Sequence, residues 1–169
     1  MTISTKKGDF GETQLWSGRT VKKNDSFLDL IGDLDELNSA LGIIRSMEDK
    51  KDIRSLLKNI QMINFTFCAE IACPNDKKSK LKQRIGEDEL GLLDDWVIKL
   101  EKNKQIDKGW QIPGDTKLDG FYNMGRSIAR RTERKLVGLN EEKNFNNPYL
   151  LSYLNRLSDL LWLLGSITK

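Results

Sequence analysis

Apolar residues return at intervals of three and four along most of the chain, and strict apolar–polar alternation is scarce. That spacing is the helical period, and it predicts five helices. The first starts near Ser26 and buries Leu28, Leu34, Leu37, Leu41 and Ile44. The second spans about Ile53 to Cys73, with Ile53, Leu56, Leu57, Ile60, Ile63 and Phe67 turned inward, and Pro74 stops it. A third runs from about Glu87 to Lys102 through Leu90, Leu93, Trp96, Val97 and Leu100. The fourth, about Lys117 to Leu139, places Leu118, Phe121, Gly125, Ile128, Thr132 and Leu136 on one side at 100° per residue. Asn147 as N-cap and Pro148 at the first helical position start the fifth, which continues through Leu150, Leu154, Leu157, Leu161 and Leu164.

Short links between five amphipathic helices predict an all-α, five-helix antiparallel bundle. The residues before the first helix form an ordered N-terminal loop or lid. The basic stretch at residues 75–86, with Lys77, Lys78, Lys80, Lys82 and Arg84, reads as a solvated connection, because charged runs without aromatics stay in water. A loop occupies Gly109 to Asp115.

At 169 residues the chain is long enough for one domain with its own core. Twenty-eight basic against 25 acidic residues leave a net charge of only +3, which disfavours a nucleic-acid coat and directs attention to local basic patches. There is no histidine, so imidazole general-base catalysis and histidine metal ligation are excluded. Two cysteines, Cys68 and Cys73, make neither a zinc spacing nor a disulfide framework. With no signal-like leader and no membrane-length apolar run, a soluble cytoplasmic protein is expected.

Two segments carry candidate chemistry. On the fourth helix Arg126, Arg130 and Glu133 are spaced four and three apart and share a face, with Arg134 at its edge and Arg131 pointing elsewhere. Guanidinium forks bind phosphate bidentately and keep their charge, and a carboxylate among them suits Mg²⁺. A solvated helix with Arg–Glu pairs explains the same residues. Asp35 lies on a helical face with Leu28, Ile31, Asn38 and Gly42, where a carboxylate needs a cation. Asn155 and Asp159 make an i, i+4 polar pair beside a leucine stripe. In the leader, Gly8 and Gly11 flank Asp9, with Thr5, Lys6, Thr13 and Lys23 nearby, so backbone N–H groups can approach phosphate closely. No Walker pattern or G-x-G-x-x-G follows a strand.

In order along the chain come T-K-x-G-D-x-G at Thr5 to Gly11, D-E-L-N-S-A-L-G at Asp35 to Gly42, and A-E-I-A-x-P at Ala69 to Pro74. They are followed by I-P-G at Ile112 to Gly114, R-S-I-A-R-R-T-E-R at Arg126 to Arg134, and Y-L-N-R-L-S-D at Tyr153 to Asp159. This ordered set resembles the PduO-type ATP:corrinoid adenosyltransferases. The resemblance implies a single helical domain over residues 1–169, with a nucleotide-binding leader at 1–25 and a bundle at 26–169. It implies transfer of the 5′-deoxyadenosyl group of ATP to cob(I)alamin, yielding adenosylcobalamin and triphosphate, with Mg²⁺ as cofactor.

By the same resemblance Thr5, Lys6, Lys7, Gly8, Thr13, Gln14 and Lys23 contact ATP from the leader. Arg130, Arg131, Thr132, Glu133, Arg134 and Asn155 contact it from the helices, and Glu133 organises Mg²⁺. Arg130, Arg126 and Asp35 are the implied catalytic set, Arg126 and Asp35 bridging neighbouring subunits of a homotrimer. Trp110 stands where the family's F-I-L-P-G-G segment has its leading aromatic, which crowds the lower corrin face. The chain departs from the family at Lys7 (often Thr), Gln14 and Ser17 (commonly Gly) and Asp115 (Gly). A corrinoid reductase and an adenosylcobalamin-dependent enzyme are the implied partners. Two other readings are a non-catalytic carrier of corrinoid and ATP, and a helical assembly protein.

Overall fold

In the computed structural model, which describes residues 6, 8–73, 81–102, 106, 109–143, 145 and 147–168, five helices follow a short hairpin. The strands are β1 (Glu12–Gln14) and β2 (Thr20–Lys22), and the helices are α1 (Ser26–Met47), α2 (Lys51–Ile71), α3 (Glu87–Glu101), α4 (Lys117–Lys143) and α5 (Pro148–Ser166). Thr5, Lys7, Pro74, Lys77, Lys78 and Lys80 lie outside the described residues.

Caps written into the sequence start most of these helices. Asp25 accepts the Phe27 amide at 3.0 Å, Glu89 accepts the Gly86 amide at 2.9 Å, Thr116 accepts the Asp119 amide at 3.0 Å, and Asn147 accepts the Tyr149 amide at 3.0 Å. The expected N-cap and proline of α5 are therefore both in place.

Consecutive helices alternate in direction. α1 packs on α2 and α4, and α5 packs on α4 and α3. α3 and α5 run the same way, since Asp94 meets Arg156 while Val97 and Glu101 line a groove with Asp159 and Leu163. One core joins Leu30, Leu37, Leu57, Phe67, Leu136 and Leu157 with residues of every helix. Its polar inclusions are paired: the Tyr153 hydroxyl donates to Asn64 Oδ1 at 3.2 Å, and the Tyr122 hydroxyl donates to Glu48 Oε2 at 2.8 Å.

Several elements differ from the sequence reading. The leader is not simply a loop: β1 and β2 pair antiparallel with Thr13 opposite Val21, and Leu15 and Val21 are buried. Three-residue strands are too short to show an alternating pattern. Gly18 supplies the left-handed turn residue at φ +90°. α2 ends two residues early, where the Cys73 amide turns back to the Glu70 carbonyl, and α4 runs four residues past Leu139. Leu28, Ile63, Leu90, Trp96, Leu118 and Phe121 are half-buried, while Phe27, Leu30, Asp119 and Tyr122 take deeper places.

The basic connection is tied down at its end. Glu70, fully buried, accepts the Ile85 amide at 3.1 Å and Asn147 Nδ2 at 2.8 Å, with Arg84 at 3.5 Å. This carboxylate fastens α2, the connection and the N-cap of α5 together. Among the described residues, no helix is long and apolar enough to cross a membrane.

Candidate active site

α4 presents two charged flanks with different fates. Toward α1, Arg131 Nε donates to Asp33 Oδ2 at 3.1 Å and its Nη2 bonds Glu36, while Lys135 pairs with Asp29 at 2.9 Å and Asp33 at 3.0 Å. The bonded Asp33 carboxylate pushes the Arg131 pKa up. Arg131 is thus committed to binding α1. Thr132 is fully buried, its hydroxyl donating to the Ile128 carbonyl at 2.9 Å, so it presents no side-chain surface to a ligand.

The other flank carries Arg126, Arg130, Glu133 and Arg134. Arg130 and Arg134 are exposed and make no salt bridge among the described residues. Asn155 Nδ2, from α5, donates to Glu133 Oε1 at 3.1 Å, and Asp159 stands near both Arg130 and Glu133. Burial pushes the Asp159 pKa up, against the pull of Arg156 and Arg130. Arg156 ties Asp159, at 3.1 Å, to Asp94 on α3. Three helices therefore meet around an arginine whose own fork is open to solvent.

Asp35 does not join that face within one chain. It is exposed; of its companions Leu28, Ile31 and Gly42 are half-buried and Asn38 is buried against Asn64, so this side of α1 is only partly core. Arg126 donates through Nε to Asn123 at 3.2 Å. Asp35 instead lies close enough to Cys68 to add to burial in pushing that thiol up to about 11.

A raised thiol pKa means that the native state keeps its proton longer than the unfolded chain does. Stability is then lost as pH rises from 9.0 to about 11. Iodoacetamide should correspondingly alkylate Cys68 at a rate still climbing above pH 10, where an ordinary thiol of pKa about 8.5 is already ionised. Peptide mapping distinguishes it from Cys73, and a plateau by pH 9.5 refutes the assignment.

In the leader, Lys23 folds over Gly8: a Cβ on that glycine would stand 3.0 Å from Lys23 Nζ. Lys6 is exposed, with φ +57°, and its carbonyl accepts the Asp9 amide. Thr13 is half-buried in β1, and Gln14 Nε2 donates to the Gly18 carbonyl at 2.8 Å. A cavity of about 880 Å³ opens beside Lys22 and Lys23, walled by Asp29, Asp33 and Glu36 of α1 and by Lys143 at the end of α4. The sequence-derived residues thus form two separate groups, a leader group around Gly8 and Lys23 and a helical group around Arg130.

At the N-terminal end of α4 the Trp110 loop projects Trp110 and Ile112 almost wholly into solvent, at 105% and 85% exposure. An apolar pair so displayed, on a loop fastened to the bundle, is suited to covering a large flat ligand.

A model of the cobalamin adenosyltransferase family matches residues 3–168. The chain belongs to that family. It is 34% identical over 165 residues to the corrinoid adenosyltransferase PduO of Salmonella typhimurium, covering 98% of this chain and 49% of that protein. The chain therefore spans about half the length of that relative. A corrinoid adenosyltransferase of Citrobacter freundii is 30% identical over 167 residues, covering 99% of this chain and 94% of its own length. Among solved structures, a variant PduO-type ATP:corrinoid adenosyltransferase from Lactobacillus reuteri, complexed with cobalamin and ATP, superposes with a TM-score of 0.89. Its identity is 28%, over 99% of this chain and 93% of that one.

The residue that holds the aromatic loop of this member of the cobalamin adenosyltransferase family is not among those read from the sequence. Buried Asp119 accepts the amides of Gly114 at 2.7 Å and Asp115 at 3.2 Å. A signal was available: Thr116-x-x-Asp119 has the spacing of a helix-starting capping box. Glu70 stands in the A-E-I-A-x-P run, but nothing in that run points to its partners Ile85 and Asn147.

Proposed function

We propose that this chain transfers the 5′-deoxyadenosyl group of ATP to the cobalt of cob(I)alamin, giving adenosylcobalamin and triphosphate. The observation that carries this reading is the open Arg130 fork beside Glu133 and Asn155, in a chain belonging to the cobalamin adenosyltransferase family. The lone pair of Co(I) attacks C5′ of ATP, the C5′–O bond breaks, and its electron pair leaves on triphosphate. Cobalt passes formally from I to III. No protein nucleophile or base is required, which suits a chain without histidine.

What the protein contributes is position and charge. Arg130, with Arg134 beside it, binds the triphosphate and stabilises the negative charge that grows on it as the bond breaks. Glu133 fits a Mg²⁺ ligand: Asn155 steadies one of its oxygens, and this ion commonly takes one or two carboxylates alongside phosphate oxygens and water. Bound there, Mg²⁺ would add positive charge to the leaving group. Trp110 crowds the lower corrin face and excludes the axial base.

Lys6, Gly8 and Lys23, together with Thr5 and Lys7, close on the nucleotide from the leader of a neighbouring copy. Arg19 and Asp25 of the leader approach Lys143, which lies about 20 Å further along α4 than Arg130 at roughly 1.5 Å per residue. The exposed Asp35 pairs with Arg126 of another copy in the same arrangement. We infer a homotrimer in the cytoplasm, supplied with Co(I) by a corrinoid reductase and passing its product to an adenosylcobalamin-dependent enzyme.

The test is incubation of the purified chain with ATP, Mg²⁺ and chemically reduced cobalamin. A light-sensitive Co–C product formed in step with triphosphate is expected. Binding of both ligands without product would make the chain a carrier, and binding of neither would make it an assembly protein. Sedimentation should give three times the 19.4 kDa of one chain.

A further inference from the structure

The Trp110 loop and Arg126 are joined by an uninterrupted chain of hydrogen bonds. Asp119 receives the Gly114 and Asp115 amides on Oδ2, and on Oδ1 it receives Nδ2 of Asn123 at 2.8 Å. Asn123 then accepts Nε of Arg126 on its Oδ1 at 3.2 Å. Positions 119, 123 and 126 are spaced four and three apart, so the chain climbs one face of α4.

An amide suits the middle of this chain. Its neighbours are a carboxylate, which can only accept, and a guanidinium, which can only donate. Asparagine offers N–H to the first and C=O to the second at the reach of one helical turn. Aspartate there would set two carboxylates together, and a hydrophobic residue would take one donor from Asp119, leaving it the Gly114 and Asp115 amides, and the Nε acceptor from Arg126.

α5 leaves room for the arrangement. A Cβ on Gly165 would stand 3.3 Å from Asp119 Oδ1, 3.6 Å from Asn123 Nδ2 and 3.1 Å from the Tyr122 Cβ. The same end of α5 meets the loop directly, the Ser166 hydroxyl lying 3.2 Å from Gln111 Oε1.

We propose that Asp119 and Asn123 are positioning residues for adenosyl transfer: one hydrogen-bonded unit, anchored on buried Asp119, fixes both the aromatic loop and the direction of Arg126. The inference rests on the adenosyltransferase reading. Corrinoid and nucleotide must approach so that cobalt faces C5′; one end of this hydrogen-bonded chain holds the loop that covers the corrin, and the other directs the Arg126 that meets Asp35 of the copy sharing the nucleotide site. Small errors in such an approach are costly to rate.

The experiment compares Asn123→Ala, Asp119→Asn and Arg126→Ala with the unchanged chain. It measures kcat, both KM values and hydrogen exchange at the Gly114 and Asp115 amides. Asn123→Ala should lower kcat at least tenfold, raise the corrinoid KM and speed exchange at Gly114 severalfold, with the helical circular dichroism retained. Asp119→Asn should speed exchange at both amides. Arg126→Ala, which keeps the Asp119–Asn123 bond, should lower kcat while leaving Gly114 exchange within twofold.

A folded Asn123→Ala protein with all of these quantities within twofold of the unchanged chain overturns the proposal. Should alanine prevent folding, Asn123→Ser is judged by the same readouts. If the unchanged chain forms no adenosylcobalamin, the functional reading fails by itself. Exchange at Gly114 in Asn123→Ala then decides the linkage alone, acceleration supporting it and unchanged exchange refuting it.

Discussion

Replacing Arg130 with alanine is expected to lower kcat for adenosyl transfer by about 10²- to 10³-fold, the scale of losing one preorganised group that stabilises transition-state charge. The fold should be indifferent. Arg130 is exposed and makes no salt bridge among the described residues, so its removal unpairs nothing in the core. Exposed sites of this kind change stability by about 0.5 kcal/mol or less, roughly 2 °C in Tm for a chain of this size. Steady-state kinetics beside a thermal melt separate the two quantities. Activity near that of the unchanged chain would remove the arginine face from the mechanism. Arg130→Lys should recover only part of the rate, because an ammonium keeps the charge and loses the planar fork.

The largest loss of stability is expected at Glu70. Its side chain is 1% exposed and accepts from the Ile85 amide and from Asn147, with Arg84 alongside. Glu70→Ala leaves the buried Ile85 amide without its acceptor, takes one of the two bonds of Asn147 Nδ2, which keeps the Ile85 carbonyl, and removes the carboxylate beside Arg84. Breaking buried networks of this kind costs about 3–5 kcal/mol. At about 2–4 °C per kcal/mol, Tm should fall by roughly 10 °C. Glu70→Gln keeps the shape and one acceptor but turns an N–H toward a donor, so a smaller loss of about 1–3 kcal/mol is expected. Urea unfolding of the two variants at matched protein concentration checks the order. A Glu70→Ala loss below about 1 kcal/mol would show that the lock is not what holds the connection to the bundle.

These residues differ in how visible they are from sequence. The Arg126–Arg130–Glu133 face follows from helical geometry alone, and the structure keeps it together, adding Asn155 from α5. Arg131 shows the limit of that reasoning. Its neighbours in sequence place it in an arginine-rich motif, yet its partners are Asp33 and Glu36, nearly a hundred positions away. Asp35 shows the converse. Periodicity put it on an apolar face, and the packing of α1 between α2 and α4 leaves that side half-covered and the carboxylate exposed.

Five helices, their caps, the shared face on α4 and the ordered motifs that mark the family are legible along the chain, because each depends on neighbours within a turn or two. Those features arise from backbone geometry and local hydrogen bonding, whose partners lie three or four residues away. Tertiary structure alone decided which charged side chains are spent inside the chain and which remain available. The Glu70 lock, the Arg131 pairs and the Asp119 anchor under the Trp110 loop join groups brought together by helix packing or by a loop folding back. The partner of a buried polar group is chosen by the need to satisfy every donor and acceptor removed from water, a condition set by the whole bundle rather than by any window of residues.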